Sequence, residues 1–550
     1  MGTDSDVPVG SQVTYSDEGA PPKEWKPKRQ EWLIFACLAL LAFVISLDTT
    51  IITPAIPVLE VSLGGNAVQA FWAGTSYLLA NAVCQPFIVD LSDIFGRRPL
   101  LFLVVVVFTI GTILCSVSHS FSLLLTGRSL QGVGGGGIMA ACLVITTDIV
   151  PLRQRPTYYA IVQMAWALGT LVGPLIGGAI AQNITWRWIF YINLPFCGIG
   201  IVVVPLTVRL DAERPTITER LALVDWIGGF LFISSFCAFL IGITWGGNQF
   251  DWSSWRTFVP IIIGLLGIVS SMVWEAYGAK RPFLPMSLFS NLSSIISYLC
   301  ALLQGALMLG LLYFIPLFMQ TAKSMDAIQS GLSLMVILGI LLPSSIISGI
   351  LLTRFGHYRW AIWSGWILIT LAIGLMVLMD QYMPAHHWAF IFLALGVGHG
   401  LVLTSLNFAI QALAVNSRDG TAAGMYTFCR SLGMCIGVAV AGTFFQNRLR
   451  SHLTDRHLDA SVANNAPGFA LKLREPGWNS VEKQSYILAF TRSFKDLWLF
   501  FMAVSALSLA MSLLIQHATL DRTLDSEHTI KNRLQVSGSE GVLMESSTKE

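Results

Sequence analysis

Charged side chains are scarce in this chain. Asp, Glu, Lys and Arg make up 12% of its 550 residues, about half the roughly 25% usual in a soluble domain. Between Trp32 and Gln516 no polar stretch is long enough to be a soluble domain of its own. The net charge is only +2, which leaves no basic face for a nucleic acid. No Gly-x-x-x-x-Gly-Lys-Ser/Thr loop is present to cradle a nucleotide. No nucleophile–base pair or metal-ligand cluster stands out either, so an enzyme is the weakest reading and neither cofactor nor metal is expected. Residues 1–31 are polar and lack a short apolar core. A cleavable signal peptide is therefore not expected, and the first apolar run must direct insertion itself.

What fills the chain instead is one apolar run after another. Hydrophobic residues reach 54% and gather into about fourteen runs of near twenty residues, each long enough as a helix to cross a hydrocarbon core of about 30 Å. In lipid only helices and closed barrels satisfy their own backbone, and these runs are too long for barrel strands. The spacing predicts spans near 32–57, 68–91, 100–117, 122–148, 157–181, 186–206, 224–245, 256–276, 293–319, 328–353, 360–379, 388–414, 421–445 and 494–516. Trp32, Trp72, Trp186, Trp226, Trp245, Trp255, Trp274, Trp360 and Trp388 fall at span ends, as interfacial belts do. All nine cysteines lie inside spans, where they read as small buried apolar side chains and not as a disulfide framework. The expected class is an all-α polytopic membrane protein, with the lipid bilayer as its surroundings.

Orientation follows from the basic residues. Hinges after even-numbered spans carry Arg97/Arg98, Arg153/Arg155, Arg209/Arg214/Arg220, Lys280/Arg281, Arg354/Arg359 and Arg418, whereas the short hinges on the other side hold only Arg187, Arg256 and Lys323. The positive-inside rule then puts both termini in the cytosol. The stretch 446–493 runs against this, being basic yet external, but it is the longest hinge and contains balancing acids. Two glycosylation patterns, Asn183-Ile184-Thr185 and Asn291-Leu292-Ser293, lie respectively too near the membrane and on the cytosolic side, and are expected to be unused.

The chain also repeats itself. Leu91-Ser92-Asp93-Ile94-Phe95-Gly96-Arg97-Arg98 after span 2 is echoed by Leu351-Leu352-Thr353-Arg354-Phe355-Gly356-His357-Tyr358-Arg359 after span 10. Span 5 places Ala165, Gly169, Gly173, Gly177 and Ala181 at every fourth position, and span 13 does the same with Gly433, Gly437 and Ala441. Such stripes let helix backbones approach closely, and internal repeats characterise secondary transporters. The expected division is a cytosolic tail at 1–31, a six-helix half at 32–206, and a loop with a central helix pair at 207–291. A second six-helix half follows at 292–516, containing an external loop at 446–493, and then a cytosolic tail at 517–550.

Four motifs carry a family resemblance. Span 1 reads Leu47-Asp48-Thr49-Thr50-Ile51-Ile52-Thr53-Pro54-Ala55-Ile56-Pro57, and the hinge after span 2 supplies Asp93, Gly96, Arg97 and Arg98. Span 4 gives Arg128-Ser129-Leu130-Gln131-Gly132-Val133-Gly134, and span 5 gives Gly169-Thr170-Leu171-Val172-Gly173-Pro174-Leu175-Ile176-Gly177-Gly178. Over about residues 32–516 the chain resembles the major facilitator superfamily, specifically its fourteen-span drug:proton antiporter branch common in fungi. Trp186-Arg187-Trp188 and Pro282-Phe283-Leu284-Pro285 add to the likeness. It departs at Val89, where the loop motif usually opens with glycine, and at Ile94, where a basic residue often follows the aspartate. The resemblance implies two six-helix halves with a central pair, fourteen spans in all, working by alternating access. The span 5 motif is the one associated with exporters. It also implies that Asp93 and Arg97 latch the outward-facing state.

The candidate residues are weighed on cost and depth. Asp48 lies about 12 Å from the outer end of span 1 and Arg128 about 10 Å from the same side of span 4. A lone carboxylate there costs about 3 kcal/mol or more unless paired, hydrated or protonated. The resemblance implies that spans 1 and 4 are neighbours in one half, which makes the two a candidate proton-coupling pair; a static ion pair, or an Asp48 in a wet vestibule, is the plainer alternative. A cytosolic gate would draw on Asp93, Gly96, Arg97, Arg98, Asp148 and Arg153, unless the arginines are only topological anchors. Gly169, Gly173, Pro174, Gly177 and Gly178 would form either a pivot between the halves or ordinary close packing. Gln131, Gln163, Gln304, His399, Asn407, Gln411 and Arg430 are candidates to line a substrate cavity. Arg430, near the midplane, would bind an anionic group or pair with a carbonyl or acid.

The expected activity is proton-coupled efflux of small amphipathic or apolar compounds such as drugs, fungicides, toxins or secondary metabolites. The expected partners are that small-molecule substrate and protons, with no nucleic acid, and the expected particle is a monomer in the plasma membrane. Rival readings are a vacuolar transporter of basic amino acids or an iron-chelate transporter on the same fold, and a non-transporting sensor. Basic cargo would want several cavity acids, and only Asp48 is clearly deep.

Overall fold

The computed structural model describes residues 25–520 and 529–530, apart from 66, 209, 212–215, 248, 415–418 and 475–477. Arg209, Arg214 and Arg418, most of the N-terminal tail and most of the C-terminal tail lie outside the described residues. Among them the regular structure is helical, save for a two-residue antiparallel pairing of Leu210–Asp211 with Thr529–Ile530 and an isolated parallel bridge between Gly246 and Phe250.

Thirteen helices are long and apolar enough to cross a membrane among the described residues, and a bent pair makes the fourteenth span. Spans 1 to 6 are Arg29–Ile51, Ala67–Val83 with Gln85–Phe95, Arg97–Ser116, Phe121–Ile149, Arg155–Asn183 and Asn193–Thr207. The central pair, spans 7 and 8, is Trp226–Trp245 and Trp255–Val273. Spans 9 to 14 are Leu292–Thr321, Ala327–Phe355, Arg359–Met376, Ala385–Leu413, Asp419–Thr454 and Ser480–Ser512. Span 2 bends by 46° at Cys84, where Pro86 enters the second segment and cannot continue the first helix's hydrogen-bond ladder.

The largest departure from expectation is at the far end of the chain. Span 13 continues to Thr454 and span 14 starts at Ser480, fourteen residues before the expected 494. Of the stretch 446–493, only the part between those two helices is a connection. Thirty-six helical residues span about 54 Å, well beyond the hydrocarbon, so the last turns of span 13 stand clear of it. There Arg448 Nε and His452 Nε2 meet Asp496 Oδ2 of span 14 at 2.6 and 2.9 Å. Hydropathy marks where a helix enters lipid, not where it begins, which is why the helical starts read as loop.

Packing reproduces the sequence repeat with an offset of eight spans. Span 1 packs on span 5 as 9 packs on 13, span 3 on 4 as 11 on 12, and span 2 on 4 as 10 on 12. Close approach explains the first two of these pairs. A Cβ on Gly433 would lie 1.9 Å from Leu302 O and one on Gly177 would lie 2.0 Å from Ile51 O, so only glycine admits the neighbouring backbone. Of the central pair, span 8 is peripheral: 17% of its apolar stretch is buried, against 44% of that of span 7 and 83% of that of span 4. Phe258, Ile263 and Leu266 of span 8 are exposed accordingly, as side chains facing lipid would be.

Candidate functional site

Asp48 and Arg128 meet in the structure. Arg128 Nη1 donates to Asp48 Oδ2 at 2.7 Å, and both side chains are sealed from solvent, at 1% and 0% exposure. The other carboxylate oxygen, Oδ1, accepts from Gln131 Nε2 at 3.1 Å and Asn193 Nδ2 at 2.8 Å. Arg128 also donates to Ala73 O at 2.9 Å and Gln131 Oε1 at 2.8 Å. Its guanidinium carbon lies 4.4 Å from the centre of the Tyr77 ring. Gln131 reaches Thr112 Oγ1 at 2.9 Å. Spans 1, 2, 3, 4 and 6 therefore meet in one buried network. Every group contacting the Asp48 carboxylate is an N–H donor, an arrangement that suits an acceptor-only carboxylate.

In this structure Asp48 is fully buried, and Gln131 belongs to the ion-pair network. Sequence reasoning missed Asn193, Thr112 and Tyr77. Their one visible signal was polarity within apolar runs, which does not say which neighbour they face.

In the hinge between spans 2 and 3, Gly96 adopts φ 94° between Phe95 and Arg97, a conformation that side-chain-bearing residues avoid. The reversal aims Arg97 back at its own hinge. Arg97 pairs with Asp93 and Ser92, and its Nε donates to Asp148 Oδ2 at 2.7 Å. Asp148 thus joins the hinge through Arg97. Arg98, half-buried at the start of span 3, is no part of this cluster.

Arg153 and Arg155 do something else: they bridge the halves. Arg153 Nε donates to Thr353 O at 3.0 Å and its Nη2 reaches Arg354 O at 3.4 Å. Arg155 Nη1 meets Asp419 Oδ2 at 2.7 Å and Gln411 Oε1 at 3.0 Å. Gln411 thus takes part in this contact between the halves and does not line the cavity described below. Thr157 Oγ1 lies 3.1 Å from Thr353 Oγ1. These contacts tie the two halves together at the ends that carry the basic hinges.

Just above those contacts a small cavity lies between span 5 and the second half, with Tyr159, Gln163, Ser345, Thr404, Asn407 and Tyr426 in its walls. Of the seven cavity candidates, Gln163 and Asn407 line it. Gln304, His399 and Arg430 cluster elsewhere in the second half, all buried. Among the described residues Arg430 has neither the acid nor the carbonyl partner considered for it: its Nη2 reaches Met308 Sδ at 4.0 Å and its charge lies 5.2 Å from the Trp166 ring centre across the interface.

The span 5 glycines face inward to their own half. A Cβ on Gly169 would sit 2.1 Å from Ser46 Oγ, and one on Gly173 would sit 2.0 Å from Thr50 Oγ1, all on span 1. Gly178 would meet only Pro54 Cβ, at 3.9 Å. The stripe is thus the seam between spans 1 and 5, where a pivot between halves was also considered. Span 5 meets the second half by other residues: Pro156 packs against Gly349, and further along the helix Tyr159 meets Phe408 and Trp166 lies beside Arg430.

Comparison with known proteins agrees with this architecture. The profile of the Major Facilitator Superfamily matches residues 38–438. MFS transporter L2 of Phoma sp. is 38% identical over 92% of this chain and 85% of its own length. MFS efflux transporter aclA of Aspergillus oryzae is 35% identical over 93% and 95% respectively. Among solved structures, the proton:xylose symporter XylE bound to 6-bromo-6-deoxy-D-glucose superposes with a TM-score of 0.55 at 14% identity, covering 89% of this chain and 97% of that one. This likeness is one of fold.

Proposed function

The chain belongs to the Major Facilitator Superfamily and is a multi-pass membrane transporter; we propose that it exports small amphipathic or apolar compounds in exchange for protons, across the plasma membrane. Relatives described as efflux transporters support the direction. The observation that carries proton coupling is the Asp48–Arg128 pair, sealed from solvent.

The chemistry follows from the geometry. In this arrangement Asp48 is held by three donors on two other helices. Protonation removes its charge and turns one oxygen from acceptor into donor. The Gln131 and Asn193 amides then lose an acceptor, and Arg128 is left as an uncompensated buried cation, which is strongly unfavourable. Relief requires span 4 to shift against spans 1 and 6, the kind of step that reorganises a half. Asp93, Arg97, Asp148, Arg153 and Arg155 hold the cytosolic gate, so the shift competes with their contacts. One charge falling through about 100 mV supplies about 2.3 kcal/mol, and each pH unit about 1.4 kcal/mol, enough for a concentration ratio of several hundred.

The test is efflux of a fluorescent dye from energised cells carrying the wild-type chain or Asp48→Asn, with and without a protonophore. Protonophore-sensitive efflux that the variant lacks is the expected result. Wild-type-like, pH-driven efflux by a correctly inserted Asp48→Asn would remove Asp48 from the coupling step.

A further inference from the structure

Two arginines are buried at the level of the bilayer core, one in each half, and they differ in one respect. Arg128 is neutralised by Asp48. Arg430, 7% exposed and about 16 Å along span 13, has no carboxylate partner among the described residues. Its Nε has no partner among the described residues, and Met308 Sδ, at 4.0 Å, is a weak acceptor. The other buried arginines are treated differently: Arg97 has Asp93 and Asp148, and Arg155 has Asp419 and two backbone carbonyls. A purely structural arginine at this depth would be expected to find such partners, because a bare cation there is costly.

The neighbours of Arg430 are also unsatisfied. The same Met308 sulfur accepts from Gln304 Nε2 at 3.7 Å, while Gln304 Oε1 is unpartnered. His399, 2% exposed and within electrostatic reach of Arg430, has no partner at either ring nitrogen. The Trp166 ring of span 5 closes the group from the opposite half. The free valences comprise a guanidinium N–H, an imidazole N–H, an imidazole lone pair and an amide oxygen. They lie where span 5 meets the second half, an interface that alternating access must open.

We propose that Arg430 binds an anionic group of the cargo, a carboxylate or an acidic enol, with His399 and Gln304 bonding polar atoms beside it and Trp166 covering the apolar body. This rests on the export reading and narrows it to acidic cargo. The missing counter-charge is supplied by what is transported, so loading the site relieves the cost of the buried cation. Export of an anion is also driven by an inside-negative potential, in addition to the proton entering.

The test uses the full chain in detergent and three probes of one shape: 1-naphthylacetate, its methyl ester and 1-naphthylmethylamine. Binding is read by tryptophan quenching and by the ligand-induced shift in melting temperature. The wild-type chain is expected to bind the acid at least tenfold more tightly than the ester or amine, and Arg430→Gln to lose that preference with ester binding unchanged. Arg430→Lys, which keeps the charge but not the fork, is expected to lose at least threefold of acid binding; it decides the matter if the Gln variant does not fold. Equal binding of acid and ester by the wild-type chain, including none of either, overturns the assignment, as does an unchanged preference in the variants. Failure of the export reading shows separately, as dye efflux from cells that ignores the protonophore while the acid preference in detergent persists.

Discussion

Arg155 and Asp419 lie 264 residues apart in sequence and 2.7 Å apart in space, and their ion pair crosses from one half to the other. Arg155 is nearly sealed, at 4% exposure, and Asp419 is at 20%. A hydrogen bond to a charged group contributes about 1.5–3 kcal/mol. Asp419→Asn is thus expected to shift the balance away from the cytosol-closed state by about ten- to a hundredfold. A reporter cysteine at Ser345, in the cavity above the seal, should then react at least several times faster with an impermeant thiol reagent applied from the cytosolic side. An unchanged labelling rate would mean that this pair does not hold the gate.

The Asp48–Arg128 pair should behave as a buried couple whose halves depend on each other. Removing one partner of such a pair costs about 3–5 kcal/mol because the other charge is stranded. Arg128→Met is therefore expected to melt well below the wild-type chain in detergent. The double variant Asp48→Asn/Arg128→Met should recover much of the lost stability without recovering proton-driven transport. Additive losses in the double variant would show that the two side chains do not interact energetically.

Both charges of that pair were legible from the sequence because each is too costly to leave alone in lipid and both count to similar depths from the same end of their helices, while the family resemblance set the two helices side by side. Their uncharged partners were not. Asn193 and Thr112 cost little in any orientation, and only the packing of spans 3, 4 and 6 turns them toward Asp48 and Gln131. Gln131 looked like cavity lining for the same reason. Arg155 was visible only as one of many positive-inside residues, since nothing local announces a partner in another half. The glycine stripe was plain as a periodicity, but which helix it faces is a tertiary fact, settled by Ser46 and Thr50 of span 1. The early start of span 14 was hidden because its first turns are polar and stand outside the lipid.

Beyond span 14 the chain docks on Tyr358, whose hydroxyl donates to Gln516 O and accepts from Ala518 N, both at 2.8 Å. His517 stacks on His357 there, with ring centres 4.5 Å apart. Partial burial, then the nearby His357 and Arg359, hold the His517 pKa below its ordinary 6.5. The docked form therefore prefers neutral imidazole. Its contribution is complete above pH 6.5 and is lost as the pH falls from there through the lowered value. Amide exchange at Ala518, corrected for intrinsic rate, is expected to quicken from pH 7.5 to pH 5.5, and His517→Gln should flatten that dependence. A profile identical in the two proteins would place the titration elsewhere.

Gly177 and Gly178 are adjacent in one motif and should respond oppositely to the same change. A methyl group on Gly177 would stand 2.0 Å from the backbone oxygen of Ile51, which cannot rotate away, whereas one on Gly178 has only Pro54 Cβ near it, at 3.9 Å. Gly177→Ala must push spans 1 and 5 apart, an overpacking expected to cost about 1–3 kcal/mol. Because span 1 carries Asp48, the displacement also loosens the network with Arg128. Gly178→Ala should stay within about 0.5 kcal/mol of wild type, as substitutions with free space do. Melting temperature and dye efflux measured on both variants decide between seam and pivot. A seam gives a Gly177→Ala variant that is less stable and less active, beside a Gly178→Ala variant that is normal in both. Full stability with lost transport in Gly177→Ala would instead make the glycine a moving part.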